Sequence, residues 1–189
     1  MNAEPTDIPG VLLVRFDIYK DERGTFAETY DRKKFAAIGI DTRFVQDSIS
    51  TSAAKGTVRG LHFQRAPRAQ AKLVRASKGR LFDVALDVRP ESETFGRYAT
   101  ATLSEGDGTA LFIPEGFAHG FCTLEADTEI AYKMSDHFSP EHYMGVAWND
   151  PALGIDWPVA AKAAVLSARD RLLPTLADVA KLLSKSPRR

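Results

Sequence analysis

Several polar side chains of this chain stand where strand patterning aims them at an interior. In Thr57 to Gln64, the residues Val58, Gly60, His62 and Gln64 share one face. Gly60 removes bulk beside His62, as the close approach of a ligand needs. Lys72 alternates with Val74 in the next strand, and Tyr132 shares a face with Ile130 and Met134. An imidazole exchanges protons near neutral pH, a phenol is a protonated donor there, and an ammonium stabilises developing negative charge. Together they would line a pocket for a small organic ligand. Taken singly, each has an ordinary alternative: a satisfied structural histidine, a solvated lysine, a packed tyrosine. Asp170 has one too, since Ser167-Ala168-Arg169-Asp170 is a capping-box pattern. Pro174 follows within a turn, however, and leaves little helix to cap.

The elements that must hold these groups read as short strands between turn signals. Val11 to Ile18, Gly24 to Tyr30, Phe44 to Ser50 and Thr57 to Gln64 are expected strands. Asp31 to Ala37 is expected as a short helix closed by Gly39. The clearest alternation is Arg80 to Val88, with Phe82, Val84, Leu86 and Val88 on one side and Leu81, Asp83, Ala85 and Asp87 on the other. Arg97 to Leu103, Ala110 to Ile113, Phe117 to Leu124 and Thr128 to Met134 continue the series. So many short strands need closure or stacking to hide their edges, which predicts an all-β sandwich or barrel. One domain is expected over 1–189, with its β-barrel at about 10–160 and a C-terminal segment carrying a helix within 165–185. Leu176, Val179, Ala180 and Leu183 supply the helical spacing, and Thr175 with Asp178 the cap. The basic tail from Lys185 to Arg189 is expected to fray.

Bulk composition narrows the classes. The chain has 189 residues, 44% hydrophobic, with 25 basic against 25 acidic side chains and a formal net charge of +0. That balance argues against a broad nucleic-acid surface but permits a local basic pocket. Cys122 is the one cysteine, so there is no internal disulfide framework. No apolar run reaches membrane-spanning length, and Met1 to Pro9 is no secretory leader, so a cytoplasmic protein is expected.

Gly108 to His119 reads G-T-A-L-F-I-P-E-G-F-A-H, with Pro114 and Gly116 forming a sharp turn before His119. This spacing is similar to the second motif of cupins. The counterpart of the first cupin motif, Arg59 to Gln64, has one histidine rather than a pair. His62 and His119 are too few for a stable transition-metal site, so no metal is expected and the cavity is left to an organic ligand.

Longer stretches resemble the dTDP-4-dehydrorhamnose 3,5-epimerase family. They are Asp21-Glu22-Arg23-Gly24-Thr25-Phe26-Ala27-Glu28, Phe44-Val45-Gln46-Asp47, Arg59-Gly60-Leu61-His62-Phe63-Gln64, Ala69-Gln70-Ala71-Lys72-Leu73-Val74 and Phe82 to Arg89. Thr94-Phe95-Gly96, Ile113 to Phe121, Tyr132-Lys133, Trp148-Asn149-Asp150-Pro151 and Leu166-Ser167-Ala168-Arg169-Asp170 complete the series. Their order and number, over roughly residues 10 to 175, carry the likeness. The resemblance implies a cupin-type jelly roll and an isomerase that inverts C3 and C5 of a nucleotide-linked 4-keto-6-deoxyhexose. By it, His62 is the general base, Asp170 its partner, Lys72 the cation at the C4 oxygen and Tyr132 the acid on the other face. It further implies substrate contacts from Arg23, Phe26, Glu28, Gln46, Arg59, His119 and Phe138, no cofactor, and a homodimer in which Arg23 to Glu28 reach the neighbouring site.

Three positions depart from that family's usual pattern. Ser48 stands where asparagine is common, Phe138 where tyrosine is usual, and Tyr143 where glutamate is usual. They bear on which nucleotide or sugar is bound rather than on the chemistry. Alternatives left open are inversion at C3 or C5 alone and the same chemistry on a differently linked sugar. A metal-dependent dioxygenase and a non-catalytic sugar-binding barrel lie further off.

Overall fold

A computed structural model describes residues 1–184, so the expectation for the basic tail lies outside the described residues. Two antiparallel sheets face each other. One has six strands: β1 (Asn2–Pro5), β2 (Leu12–Arg15), β10 (Thr109–Ile113), β7 (Lys72–Lys78), β12 (Thr128–Met134) and β5 (Gln46–Ser52), in that spatial order. The other has β13 (Tyr143–Gly145), β6 (Val58–Gln64), β11 (Phe117–Thr123), β8 (Arg80–Asp87) and β9 (Tyr98–Ser104). A separate hairpin pairs β3 (Ile18–Asp21) with β4 (Gly24–Ala27). This is the cupin-type sandwich the sequence predicts.

Apolar side chains from both inner faces form the central core: Val74, Leu111, Ile113 and Ile130 from the first sheet meet Leu81, Ala85, Phe117 and Phe121 from the second. The outer face of the five-stranded sheet is covered as well. Leu61, Val84, Leu86 and Ala118 pack there against Leu176 and Val179 of helix α2 (Leu176–Ser184). The cap of α2 is reciprocal, with the Thr175 hydroxyl donating to Asp178 and accepting from its N–H. Asp150 accepts from the Leu176 N–H at 2.8 Å. Between 165 and 175 the chain is not α-helical and makes one 3-10 turn at Asp170–Leu172. Helix α1 (Arg32–Ala37), capped by the Asp31 carboxylate, buries Phe35 against the outer face of the six-stranded sheet.

Three local expectations change. The expected strand Val11 to Ile18 is broken: β2 ends at Arg15, Phe16 packs with Val14 and Phe35 while its N–H donates to Gly108 O at 2.7 Å, and the chain re-enters extended structure as β3. The short edge strands β1 and β13 lack the β-branched alternation that announces a strand. Gly60 serves a different purpose from the one inferred. A side-chain carbon there would lie 2.6 Å from Gly120 Cα and 2.7 Å from His119 O, so the glycine lets β6 and β11 approach each other. Its φ of 117° adds a second reason.

Candidate active site

The site forms between the sheets at one end of the sandwich, in a cavity of about 750 Å³. From the five-stranded sheet come His62 on β6 and His119 on β11, directly opposite each other in the register. From the six-stranded sheet come Lys72 on β7, Tyr132 on β12, and Gln46 and Ser48 on β5. Tyr132 pairs in register with Ser48, while Met134 pairs with both Gln46 and Lys72, which fixes their relative heights. Arg59, Phe138 and Asp170 complete the predicted residues that line the cavity.

His62 Nε2 and Asp170 Oδ1 are 2.6 Å apart, joined across 108 residues of sequence. The capping-box pattern is half real: the Ser167 hydroxyl accepts from the Asp170 N–H at 3.0 Å, while the carboxylate itself goes to His62. Burial pushes Asp170 up, but hydrogen bonds from His62, the Gly60 N–H and Ser167 outweigh it and leave the carboxyl below its ordinary value. Lys72 Nζ crosses the gap and donates to His62 O at 3.0 Å. Burial lowers Lys72 to about 8, partly offset by the Asp83 carboxylate. Tyr132 is raised far above its ordinary range, chiefly by burial and then by the charge of Asp83, so its phenol keeps its proton at neutral pH.

Asp83 is the residue that pattern reading left without a role. It is fully buried on the inner face of β8, and its Oδ1 lies 2.7 Å from His119 Nε2. Its other oxygen, Oδ2, has no protein partner. Burial lowers His119, opposed by Asp83 and reinforced by the nearby Lys72 and His62 charges. The ring of His119 meets that of Tyr132 edge-on at 5.8 Å. The available signal was an aspartate set between the apolar Leu81 and Ala85, since a buried acid needs a partner.

Ser50, Gln70, Tyr143, Ser167 and Arg169 also line the cavity. Phe138 is 52% exposed at the lip, and its N–H donates to Gln46 Oε1 at 3.0 Å. Arg59 is held by Thr51 O at 3.0 Å and by the Ser52 hydroxyl. Arg23, Phe26 and Glu28 are not brought to this cavity: they lie on or just beyond the β3–β4 hairpin. There Arg23 pairs with Asp21 and Glu28 with Lys34. Among the described residues, no three His, Cys, Asp or Glu side chains converge as a metal-binding group.

A cupin sandwich whose cavity turns a histidine–carboxylate pair, a lysine and a tyrosine toward one space belongs with the cupins that work on an organic ligand. A family model for dTDP-4-dehydrorhamnose 3,5-epimerase matches residues 5–178, and the chain belongs to that family of isomerases. It is 48% identical over 179 residues to the dTDP-4-dehydrorhamnose 3,5-epimerase of Sinorhizobium fredii, covering 95% of this chain and 91% of that one. The solved enzyme of Bacillus anthracis, with TDP and PPi bound, superposes with a TM-score of 0.88 at 42% identity, covering 92% of this chain and 98% of that one. The Legionella pneumophila enzyme in complex with dTDP-4-keto-L-rhamnose gives a TM-score of 0.88 at 40% identity, with 94% and 96% covered.

Proposed function

We propose that this protein inverts C3 and C5 of dTDP-4-dehydro-6-deoxy-D-glucose to give dTDP-4-dehydro-L-rhamnose. The observation that carries the reading is the 2.6 Å His62–Asp170 pair facing Lys72 and Tyr132 across one cavity. The C4 ketone acidifies the protons on C3 and C5. His62 removes one; because Nε2 is engaged by Asp170, Nδ1 is the nitrogen that takes it. Asp170 orients the ring and stabilises the imidazolium as it forms. The electron pair moves onto the C4 oxygen, where Lys72 binds the enolate more tightly than the ketone. Tyr132 delivers a proton to the opposite face of the same carbon, which inverts it. Proton exchange with solvent restores neutral His62 and the Tyr132 phenol, and the sequence then repeats at the second carbon. Oxidation state does not change, so the reaction calls for no redox partner.

In this reading Arg59 and Gln46 hold the nucleotide, Phe138 offers its exposed ring to the base, and His119, fixed by Asp83, contacts the sugar. Arg23, Phe26 and Glu28 serve a second copy of the chain. Support for that homodimer comes from the hairpin, which leaves Tyr19 and Phe26 63% and 67% exposed. It also comes from the outer face of the six-stranded sheet, where Ile49 is 65% exposed beside a cavity of about 520 Å³. The protein acts as one domain in the cytoplasm. Among the described residues, no helix is long and apolar enough to cross a membrane.

Incubation with the dTDP-linked 4-keto sugar in deuterated water tests the proposal by mass spectrometry. Deuterium is expected at both C3 and C5. Label at one carbon alone would make this a mono-epimerase, and label only from a CDP-linked sugar would overturn the nucleotide assignment.

A further inference from the structure

The lip of the cavity is built from two loops fastened to each other. One, residues 65–71, joins β6 to β7; the other, residues 135–142, joins β12 to β13 and carries Phe138. The Ser135 N–H donates to Ala71 O at 3.0 Å, and the Ala71 N–H donates back to Ser135 Oγ at 2.8 Å. Arg68 pairs with Asp136 at 2.9 Å, and the Arg65 N–H donates to His142 O at 2.9 Å. Three glutamine side chains grip the second loop along its backbone. Gln70 donates to Asp136 O at 2.7 Å, and Gln46 accepts from the Phe138 N–H at 3.0 Å. Gln64 makes three bonds: its amide nitrogen donates to Arg68 O at 2.6 Å and to His137 O at 3.3 Å, and its oxygen accepts from the Ser139 N–H at 2.7 Å. Both chain neighbours of Phe138 are thus bound by Gln64. Gln64 and Gln70 are buried, and a buried carboxamide left without partners would destabilise the fold. Fully engaged, it specifies one geometry. The backbone so held carries a ring that is half exposed, so these bonds fix where Phe138 stands without burying it.

We infer that Gln64 is a positioning residue for ligand binding: by locking residues 137–139 it holds the Phe138 ring at the cavity mouth before a ligand arrives. A lip ordered in advance loses little entropy on binding, which raises affinity without a new contact to the ligand. Gln70 supports the same loop through one bond and contributes less. Gln64 follows His62 by two residues on β6, yet its bonds run to the lip. It therefore acts on affinity and leaves the proton transfers to His62 and Tyr132. The inference rests on the proposed reading, in which Phe138 meets a nucleotide base, and adds to it what sets that ring in place.

The test compares the intact wild-type protein with Gln64→Leu, which removes all three bonds at similar bulk. Amide hydrogen exchange without ligand, followed by mass spectrometry, should quicken at least about tenfold across residues 135–142 and stay unchanged in β11. Affinity for dTDP should fall roughly tenfold, within the range for losing one base–aromatic stack, while pyrophosphate, which has no base, should bind within about twofold of wild type. KM should rise in step with the loss of dTDP affinity, and kcat should hold within about threefold. In a Phe138→Ala background, Gln64→Leu should lower dTDP affinity less than about twofold, since no ring is left to hold. That coupling separates positioning from general destabilisation. If Gln64→Leu fails to fold, Gln70→Met removes only the bond to Asp136 O and should show the same exchange and coupling at about threefold. Wild-type exchange across the loop in the folded variant, or an equal loss of dTDP affinity with and without the Phe138 ring, would overturn the inference and leave the proposed reaction standing. A wild-type protein that does not bind dTDP would overturn the nucleotide reading and the inference with it.

Discussion

Replacing Asp170 with asparagine keeps the size of the side chain and removes its charge. The aspartate is 5% exposed and 2.6 Å from His62 Nε2, and its hydrogen bonds outweigh burial to keep it ionised at neutral pH. In the proposed reaction His62 takes a proton from the sugar, and the imidazolium forms beside this carboxylate. With charge centres about 4 Å apart and an effective dielectric constant of ~20, the attraction is worth about 4 kcal/mol. The His62 side chain is 19% exposed, so solvent screens part of that. A loss of roughly 3 kcal/mol of transition-state stabilisation is a fall of about 10²–10³-fold in kcat. An amide oxygen in the same place can still accept from Nε2–H, so ring orientation survives and the loss is electrostatic. The assay is the initial rate of deuterium incorporation from solvent at saturating substrate, with dTDP affinity as a control. Affinity should hold within about threefold, because the pair acts on developing charge and not on the ground state. An Asn variant that folds, binds dTDP and keeps kcat within about threefold would refute the assignment of His62 and Asp170 as a catalytic pair, whose smallest expected loss is far larger.

Lys72 should impose a pH limit: the ammonium proposed to stabilise the enolate exists below about 8 and is lost above it, so kcat/KM should decline as pH rises through about 8. Lys72→Met should remove that limb and cost at least about 10²-fold in kcat, the scale of a lost oxyanion donor. Tyr132→Phe should lower net inversion by about 10²-fold while His62 still exchanges the proton it removes, so that deuterium enters substrate of unchanged configuration. Inversion at wild-type rate would show that another group is the acid. Gly60→Ala should destabilise the fold by roughly 3 kcal/mol, because backbone atoms of β11 stand where the methyl group must go. A thermal melt unchanged within a degree would show that β6 can shift freely.

The sandwich was legible because its strands are bounded by turn residues, and Thr128–Met134 came out to the residue. On β8, however, which face looks inward was not legible. In a sheet with one wet face, alternation separates core from solvent. On β8 both faces are buried, so alternation still separates two sets but no longer says which is inside. The bulkier set, Phe82, Val84 and Leu86, packs under the C-terminal segment and α2, while Leu81, Asp83 and Ala85 face the sandwich interior. Asp83 was hidden by this, although it holds His119 and lies in the field of Lys72 and Tyr132.

The pairing of His62 with Asp170 was illegible for a different reason. No periodicity links a β6 residue to a turn 108 positions later; only the order of family motifs suggested it. The fold explains why the distance can be so long. The segment carrying Asp170 is tied to the sheet edge by a parallel bridge between Thr57 and Val165, and by the Ala147 N–H to Pro174 O bond at 2.8 Å. Leu173 also packs against Gly145, the β13 residue that pairs with His62. These anchors hold the short turn from both sides. A carboxylate delivered by a late loop can therefore be positioned as firmly as one on a strand.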